Sequence, residues 1–260
     1  MLIYSVYPNN NHILNKISEI YHSDSIIKKF KTNVLCSYYY LHKKESELEN
    51  VKKLGNSILI DSGAFSFANK NETTNFDIYI YDYRKFIKKN DSTIFKGFFE
   101  LDIGKLISYS KVKEYRENLF EVTDKIIPVW HKYLGKDEFK LMCKEYKYIA
   151  IGGVVHGEIQ KDELAPYLKH AIKKGVKLHC LGLGDRKYLD KLPFYSTDTL
   201  TYNRAMRGRR ARFQGTNHKI TYIQKGSLKE KQDSYALYDW IYGVKFNNHY
   251  YNYWNNKKIV

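Results

Sequence analysis

Polar residues able to do chemistry recur at one kind of position in this chain, directly after short runs of apolar and aromatic residues. Asp61 follows Ser57–Ile60 (SILI), and Asp102 follows Gly97–Leu101 (GFFEL). Trp130 and His131 close the run that begins KIIPV, Gly152 and Gly153 follow Tyr148–Ile151 (YIAI), and Asp198 follows Phe194–Thr197 (FYST). A lone Asp after a strand is ordinarily a helix cap or a turn residue. Three carboxylates and a Gly-Gly pair, at equivalent places on different strands, are expected to converge on one pocket. Carboxylates that share a pocket have separated pKa values, so one is ionised while another holds a proton. Such a pair suits covalent displacement by one carboxylate, with proton transfer by the other.

The elements that must position these residues follow from the same runs. Asn33–Ser37, Ser57–Ile60, Gly97–Leu101, Lys125–Trp130, Tyr148–Ile151, Lys177–Leu181 and Phe194–Thr197 are too short for helices and read as strands, with His218–Ile223 as a weaker eighth. Polar, helix-like stretches separate them. Asp137–Lys147 places Phe139, Leu141, Met142 and Tyr146 near one face, and Lys161–Lys174 spaces Leu164, Leu168, Ala171 and Ile172 helically before Gly175. Eight strands alternating with helices predict an α/β chain folded as a compact (β/α)8 TIM-type barrel, whose loops assemble active sites at the C-terminal strand ends. Residues 1–225 are expected to form the barrel. Residues 226–260, rich in Tyr, Trp and Asn over Tyr235–Trp254, are expected to pack on it as a terminal helix and loop.

Composition narrows the partners. The 260 residues carry 44 Lys+Arg against 28 Asp+Glu, a formal charge of +16. Such an excess favours polyanions, although an AT-rich genome enriched in Lys, Asn, Ile and Tyr codons would yield the same balance. Cys36, Cys143 and Cys180 lie far apart without ligand spacing, and no secretory signal precedes them, so a cytoplasmic protein with free thiols is expected. No apolar run reaches the roughly 20 residues of a membrane helix.

Three segments carry a family resemblance. Asp61-Ser62-Gly63-Ala64-Phe65 resembles the DSGGF motif of the tRNA-guanine transglycosylases, and Ile151–Glu158 (IGGVVHGE) is similar to that family's IGGLAVGE. Leu181–Gly184 (LGLG) resembles the turn that precedes the family's nucleophilic aspartate, here Asp198. The match spans roughly residues 57–200. It implies Asp198 as nucleophile, with a helix cap as the alternative, and Asp61 as general acid/base. It further implies that Asp102 accepts from guanine's ring N–H and exocyclic amine, and that the Gly152–Gly153 backbone lets the flat base approach, with an amide for its carbonyl oxygen. Glu158 either orients the substituent of a 7-deazaguanine or starts the next helix. His131 either bonds the base or is structural, and Tyr38–Tyr40 either stack on it or belong to the core.

The departures direct the reading toward DNA. The family's zinc cluster follows the nucleophile, but no cysteine follows Cys180, so neither a metal nor a cofactor is expected. A glutamine of the family is replaced in Pro128-Val129-Trp130-His131, and the chain is short. These features are closer to the phage enzymes that insert 7-deazaguanines into DNA, acting on a flipped nucleotide. Five of the eight arginines, Arg204, Arg207, Arg209, Arg210 and Arg212, fall within nine residues just past Asp198. A charge run is ordinarily a solvated face, but the preference for arginine over lysine favours phosphate contacts. The expected partners are therefore DNA and a 7-deazaguanine base, with no membrane. The alternatives are a tRNA enzyme lacking the zinc site and a non-catalytic barrel that binds nucleic acid.

Overall fold

The computed structural model describes residues 1–7, 31–67, 74–199, 212–214, 219–221 and 229–257. Alternation within the apolar runs accounts for the sheet. In the strand Gly55–Asp61 (β3), Leu59 points into the barrel interior while Ile58 and Ile60 face the surrounding helices. The other barrel strands are Leu2–Val6 (β1), Thr32–Ser37 (β2), Phe95–Phe99 (β4), Ile126–Ile127 (β5), Val129–Trp130 (β6), Tyr148–Ile151 (β7), Lys177–Cys180 (β8) and Ser196–Thr199 (β9). All pair in parallel, in the order β5-β4-β3-β2-β1-β9-β8-β7-β6.

Nine segments make eight staves, because β5 and β6 are one strand path broken at Pro128. Proline has no N–H to give a ladder. Before it the path pairs with β4, and after it with β7, so the chain itself joins the two ends of the sheet. The Pro128 carbonyl still accepts from Ala150 at 2.8 Å. The Val129 N–H accordingly turns to the Glu100 carboxylate, at 2.5 Å. Arg116 holds that carboxylate through two bonds of 2.7 and 3.2 Å, both side chains being about 1% exposed.

The interior is filled by Tyr4, Leu35, Leu59, Phe99, Ile127, Val129 and Ala150. Outside lie Tyr38–Leu41 (α1), Glu45–Leu54 (α2), Ala64–Phe67 (α3), Phe76–Asn90 (α4), Tyr109–Phe120 (α5), Gly135–Glu145 (α6), Leu164–Lys173 (α7), Arg186–Leu189 (α8) and Lys229–Asn256 (α9). Asn75 caps α4 by accepting from Ile78 N–H, and Ser108 caps α5 by accepting from Lys111 N–H. Each helix buries one stripe: Ile80, Tyr83 and Ile87 on α4, Val112, Tyr115 and Leu119 on α5, and Leu164, Leu168 and Ala171 on α7. Each Ile, Val or Leu among them contributes roughly 1.5–3 kcal/mol when fully buried.

Helix α9 covers β1 and β2. Trp240 and Val244 join the cluster that contains Val34 and Leu48, while Tyr242, Phe246, Tyr250 and Trp254 pack with Met1, Ile3 and Phe194. Its Asn247 side chain accepts from Ile3 N–H at 3.1 Å and from the Asn33 amide at 2.8 Å. The aromatic segment expected as helix plus loop is thus one continuous helix over the described residues. Among these residues, no helix is long and apolar enough to cross a membrane.

The barrel class agrees with the expectation, but the choice of eighth strand does not. Lys219–Thr221 (β11), within the run read as that strand, pairs antiparallel with Arg212–Gln214 (β10) outside the barrel. Leu2–Val6 takes the place instead, between β2 and β9. A parallel stave must be flanked on both sides, which an antiparallel hairpin cannot satisfy. The helix expected from Asp137 begins at Gly135, and the one expected from Lys161 opens with a 3-10 turn over Lys161–Glu163. Gly175, at φ +68°, stands just past the end of α7 as expected.

Candidate active site

The C-terminal strand ends bring together most of the residues singled out from the sequence. Asp61 is the last residue of β3, and Asp198 lies near the end of β9. Asp102 and His131 stand just beyond β4 and β6, and Gly152–Gly153 just beyond β7.

Asp61 sits above a turn that glycine makes possible. Gly63 has φ +86°, and a Cβ there would lie 2.4 Å from that of Tyr39. The turn aims the Ser62 and Gly63 amides at the Asp61 carboxylate. Burial nevertheless raises the Asp61 pKa, and the negative charges of Asp198 and Asp102 add to it, to about 7 against an ordinary 3.8. The two amides offset only part of this. Asp61 is therefore protonated up to near-neutral pH.

Asp102, His131 and Glu158 form one hydrogen-bonded chain. The His131 ring lies between Asp102, 2.7 Å from Nε2, and Glu158, 3.0 Å from Nδ1. Lys105 pairs with the other Glu158 oxygen. Burial lowers the His131 pKa, but the two carboxylates outweigh it and hold the ring at about 9. Lys105 and His131 in turn hold Glu158 below the usual range against its burial. At neutral pH the ring is a cation bridging two anions.

The glycines explain why the segment after β7 must be IGG. A Cβ on Gly152 would lie 2.6 Å from His131 Nε2, and one on Gly153 would lie 2.8 Å from the Glu158 carboxylate, at a backbone φ of +79°. Their amides are not equivalent. Gly152 N–H donates to Trp130 O in the ladder at 2.9 Å, so it is not available to a ligand carbonyl. Among the described residues only the Gly153 N–H of this pair is left unbonded.

Among the described residues Asp198 is held on one side only. Its Oδ1 accepts from Gly182 N–H at 2.8 Å and lies 3.2 Å from His179 Nε2. Gly182 takes φ +76° in the LGLG turn, and Thr197 ties that turn down by donating to Cys180 O and Leu183 O. Asp198 itself lies within β9, and the segment that it would cap lies outside the described residues.

Three contributors were not anticipated from the sequence. Ser37, the register partner of Asp61, has a buried hydroxyl without a hydrogen-bond partner among the described residues. Tyr133 stacks on His131 with centroids 5.6 Å apart while remaining half exposed. His179 is a polar residue at an inward-facing position of β8, between the apolar Leu178 and Cys180. That alternation is the signal that could have revealed it. Of Tyr38–Tyr40, Tyr38 is core, Tyr39 packs on Phe67, and Tyr40 is exposed. Arg204, Arg207, Arg209 and Arg210 lie outside the described residues, and Arg212 opens β10.

Chemically, the site offers at Asp61 a carboxyl kept protonated up to near-neutral pH and at Asp198 a carboxyl group of which only Oδ1 is bonded among the described residues. A charged polar triad lies beside a glycine-lined opening. No family model, curated protein or solved structure matches the chain.

Proposed function

We propose that this chain is a base-exchange transglycosylase that replaces guanine in DNA with a 7-deazaguanine derivative. The observation that carries the reading is the pair Asp61 and Asp198 at one barrel mouth, where burial, and then the charges of Asp198 and Asp102, raise the Asp61 pKa to about 7. An acid/base tuned near the working pH beside a one-sidedly held carboxylate suits a double displacement. The resemblance of DSGAF, IGGVVHGE and LGLG to the tRNA-guanine transglycosylases supplies the substrate class. The absence of the family's cysteines after Cys180 favours DNA over tRNA.

In the first step an Asp198 oxygen bonds to the anomeric carbon of the flipped guanosine. The glycosidic bond breaks, its electrons pass to the base, and the Asp61 proton neutralises the departing guanine. In the second step the incoming base gives its ring proton to Asp61 and bonds to the anomeric carbon, and Asp198 leaves as carboxylate. Asp102 accepts from guanine's ring N–H and exocyclic amine, sharing Oδ2 with His131. The Gly153 N–H is the donor for the carbonyl oxygen, and Glu158 with Lys105 borders the ring edge that a 7-substituent would occupy.

The test is incubation of the protein with radiolabelled guanine and, separately, duplex DNA, single-stranded DNA and tRNA. Label should enter DNA. Incorporation into tRNA alone would establish the tRNA reading, and binding without incorporation would leave a nucleic-acid-binding barrel. Reactions quenched in denaturant should contain a protein–DNA adduct that Asp198→Ala abolishes. Asp61→Ala should slow exchange about 100- to 10,000-fold, the usual effect of losing a general acid/base.

A further inference from the structure

Beneath Asp198 a line of polar side chains runs down inside the barrel from its partner His179 to Ser196 and Tyr148. His179 is fully buried, with its ring edge-on to Phe99 at a centroid distance of 5.1 Å and tilted against Tyr4 at 6.3 Å. Its Nε2 faces Asp198 Oδ1 at 3.2 Å, and its Nδ1 faces Ser196 Oγ at 2.8 Å. Ser196 Oγ in turn lies 2.7 Å from Tyr148 Oη. These residues are inward neighbours on β7, β8 and β9, where His179 pairs with Ser196 and Tyr148 with Lys177.

We propose that His179 is the positioning residue for Asp198, and that Tyr148 and Ser196 fix its tautomer so that Nε2–H donates to Oδ1 and leaves Oδ2 for the substrate. For a singly protonated ring the geometry sets every donor in one direction. A carboxylate oxygen only accepts, so the facing Nε2 must carry a hydrogen. In the neutral ring Nδ1 then accepts, and Ser196 must donate to it. The Ser196 hydroxyl has spent its only hydrogen, so it accepts from the Tyr148 phenol. Tyr148 can fill that role because burial holds its hydroxyl protonated.

With His179 Nε2–H and Gly182 N–H both on Oδ1, the carboxylate cannot rotate without breaking two bonds in a dry interior. Such burial makes unpaired polar groups costly, so the line holds as a unit. The role assigned to Oδ2 rests on reading Asp198 as the nucleophile, whereas the tautomer does not.

The experiment therefore has two independent readouts. Histidine-15N NMR of the full chain, with His179 assigned by its loss in His179→Gln, should show hydrogen on Nε2 and none on Nδ1. Asp198→Ala should shift the Nε2 signal, and Tyr148→Phe should disturb the Nδ1 signal. A ring with hydrogen on Nδ1, or an Nε2 signal indifferent to Asp198→Ala, would overturn the proposal.

The second readout is the rate of adduct formation in denaturant-quenched reactions. His179→Leu removes the donor and should slow it about 10- to 100-fold, the scale of a misplaced reacting group, with DNA affinity unchanged. His179→Gln restores an amide N–H near the Nε2 position and should recover most of the rate. Equal slowing by Leu and Gln would assign His179 to packing and overturn the proposal. If the wild-type protein forms no adduct at all, the base-exchange reading fails, and the NMR result alone decides whether His179 positions Asp198.

Discussion

Asp61 shows how a single residue is spent on a site rather than on stability. Its pKa is raised to about 7 from an ordinary 3.8, chiefly by burial and then by two neighbouring carboxylates. Between those pH values the folded chain binds a proton that the unfolded chain has lost. The contribution of Asp61 to stability is thus full below about pH 3.8 and is lost as pH rises through 7. Asp61→Asn should leave the melting temperature unchanged near pH 4 and raise stability by about 1–2 kcal/mol at pH 8, as measured by thermal unfolding across pH. A variant no more stable at pH 8 would mean that burial and the neighbouring carboxylates do not disfavour the Asp61 charge as its placement implies. His131 is also raised, to about 9, because Asp102 and Glu158 overcome its burial. Its contribution is present below the ordinary 6.5 and is lost as pH rises through 9, so His131→Gln should destabilise the fold at pH 6 and much less at pH 10.

At the scale of elements, the consequential feature is the break at Pro128. The prolyl residue interrupts the fifth stave, and the Val129 N–H that this leaves out of the β4 ladder is taken by Glu100. Glu100 directly precedes Leu101 and Asp102, and Val129 precedes Trp130 and His131. One buried carboxylate therefore anchors both strand ends that present the Asp102–His131 pair. Arg116, on α5, keeps that carboxylate paired, assisted by bonds to the Tyr109 and Tyr146 hydroxyls. Arg116→Met should cost about 3–5 kcal/mol in denaturant unfolding, because it strands a buried charge. Adding Glu100→Gln should recover part of the loss, since the unpaired charge is then gone. Independent, additive losses from the two substitutions would show that the pair is not coupled.

At the scale of the molecule, a barrel with one polar mouth is joined to a strongly basic chain. The fold delivers eight strand ends to one face, and the chain as a whole carries a formal charge of +16. Within the proposed function the arginines of residues 204–212 contact the DNA backbone. Replacing Arg207, Arg209 and Arg210 with Ala should weaken binding and reduce the slope of log affinity against log salt by about one unit per lost phosphate contact. Circular dichroism should be unchanged. An unaltered slope would return these arginines to a solvated surface.

The sequence alone determined the alternation of strands and helices, and hence the barrel and the face on which its polar residues collect. Both follow from local periodicity, since apolar runs of four to six residues cannot hide in any other element. It also singled out Asp61, Asp102, His131, Gly152, Gly153 and Asp198, because they stand at the ends of such runs, and Glu158 through the resemblance of IGGVVHGE. Only the tertiary structure decided what these groups do to one another. It made His131 a cation between two anions, occupied the Gly152 amide in a ladder, and placed Leu2–Val6 rather than Lys219–Thr221 in the ring. Hydrogen bonds and charge couplings between residues 17 to 137 positions apart depend on distances that no local pattern encodes. That is why His179, concealed in a buried strand, came into view only once the barrel had closed around it.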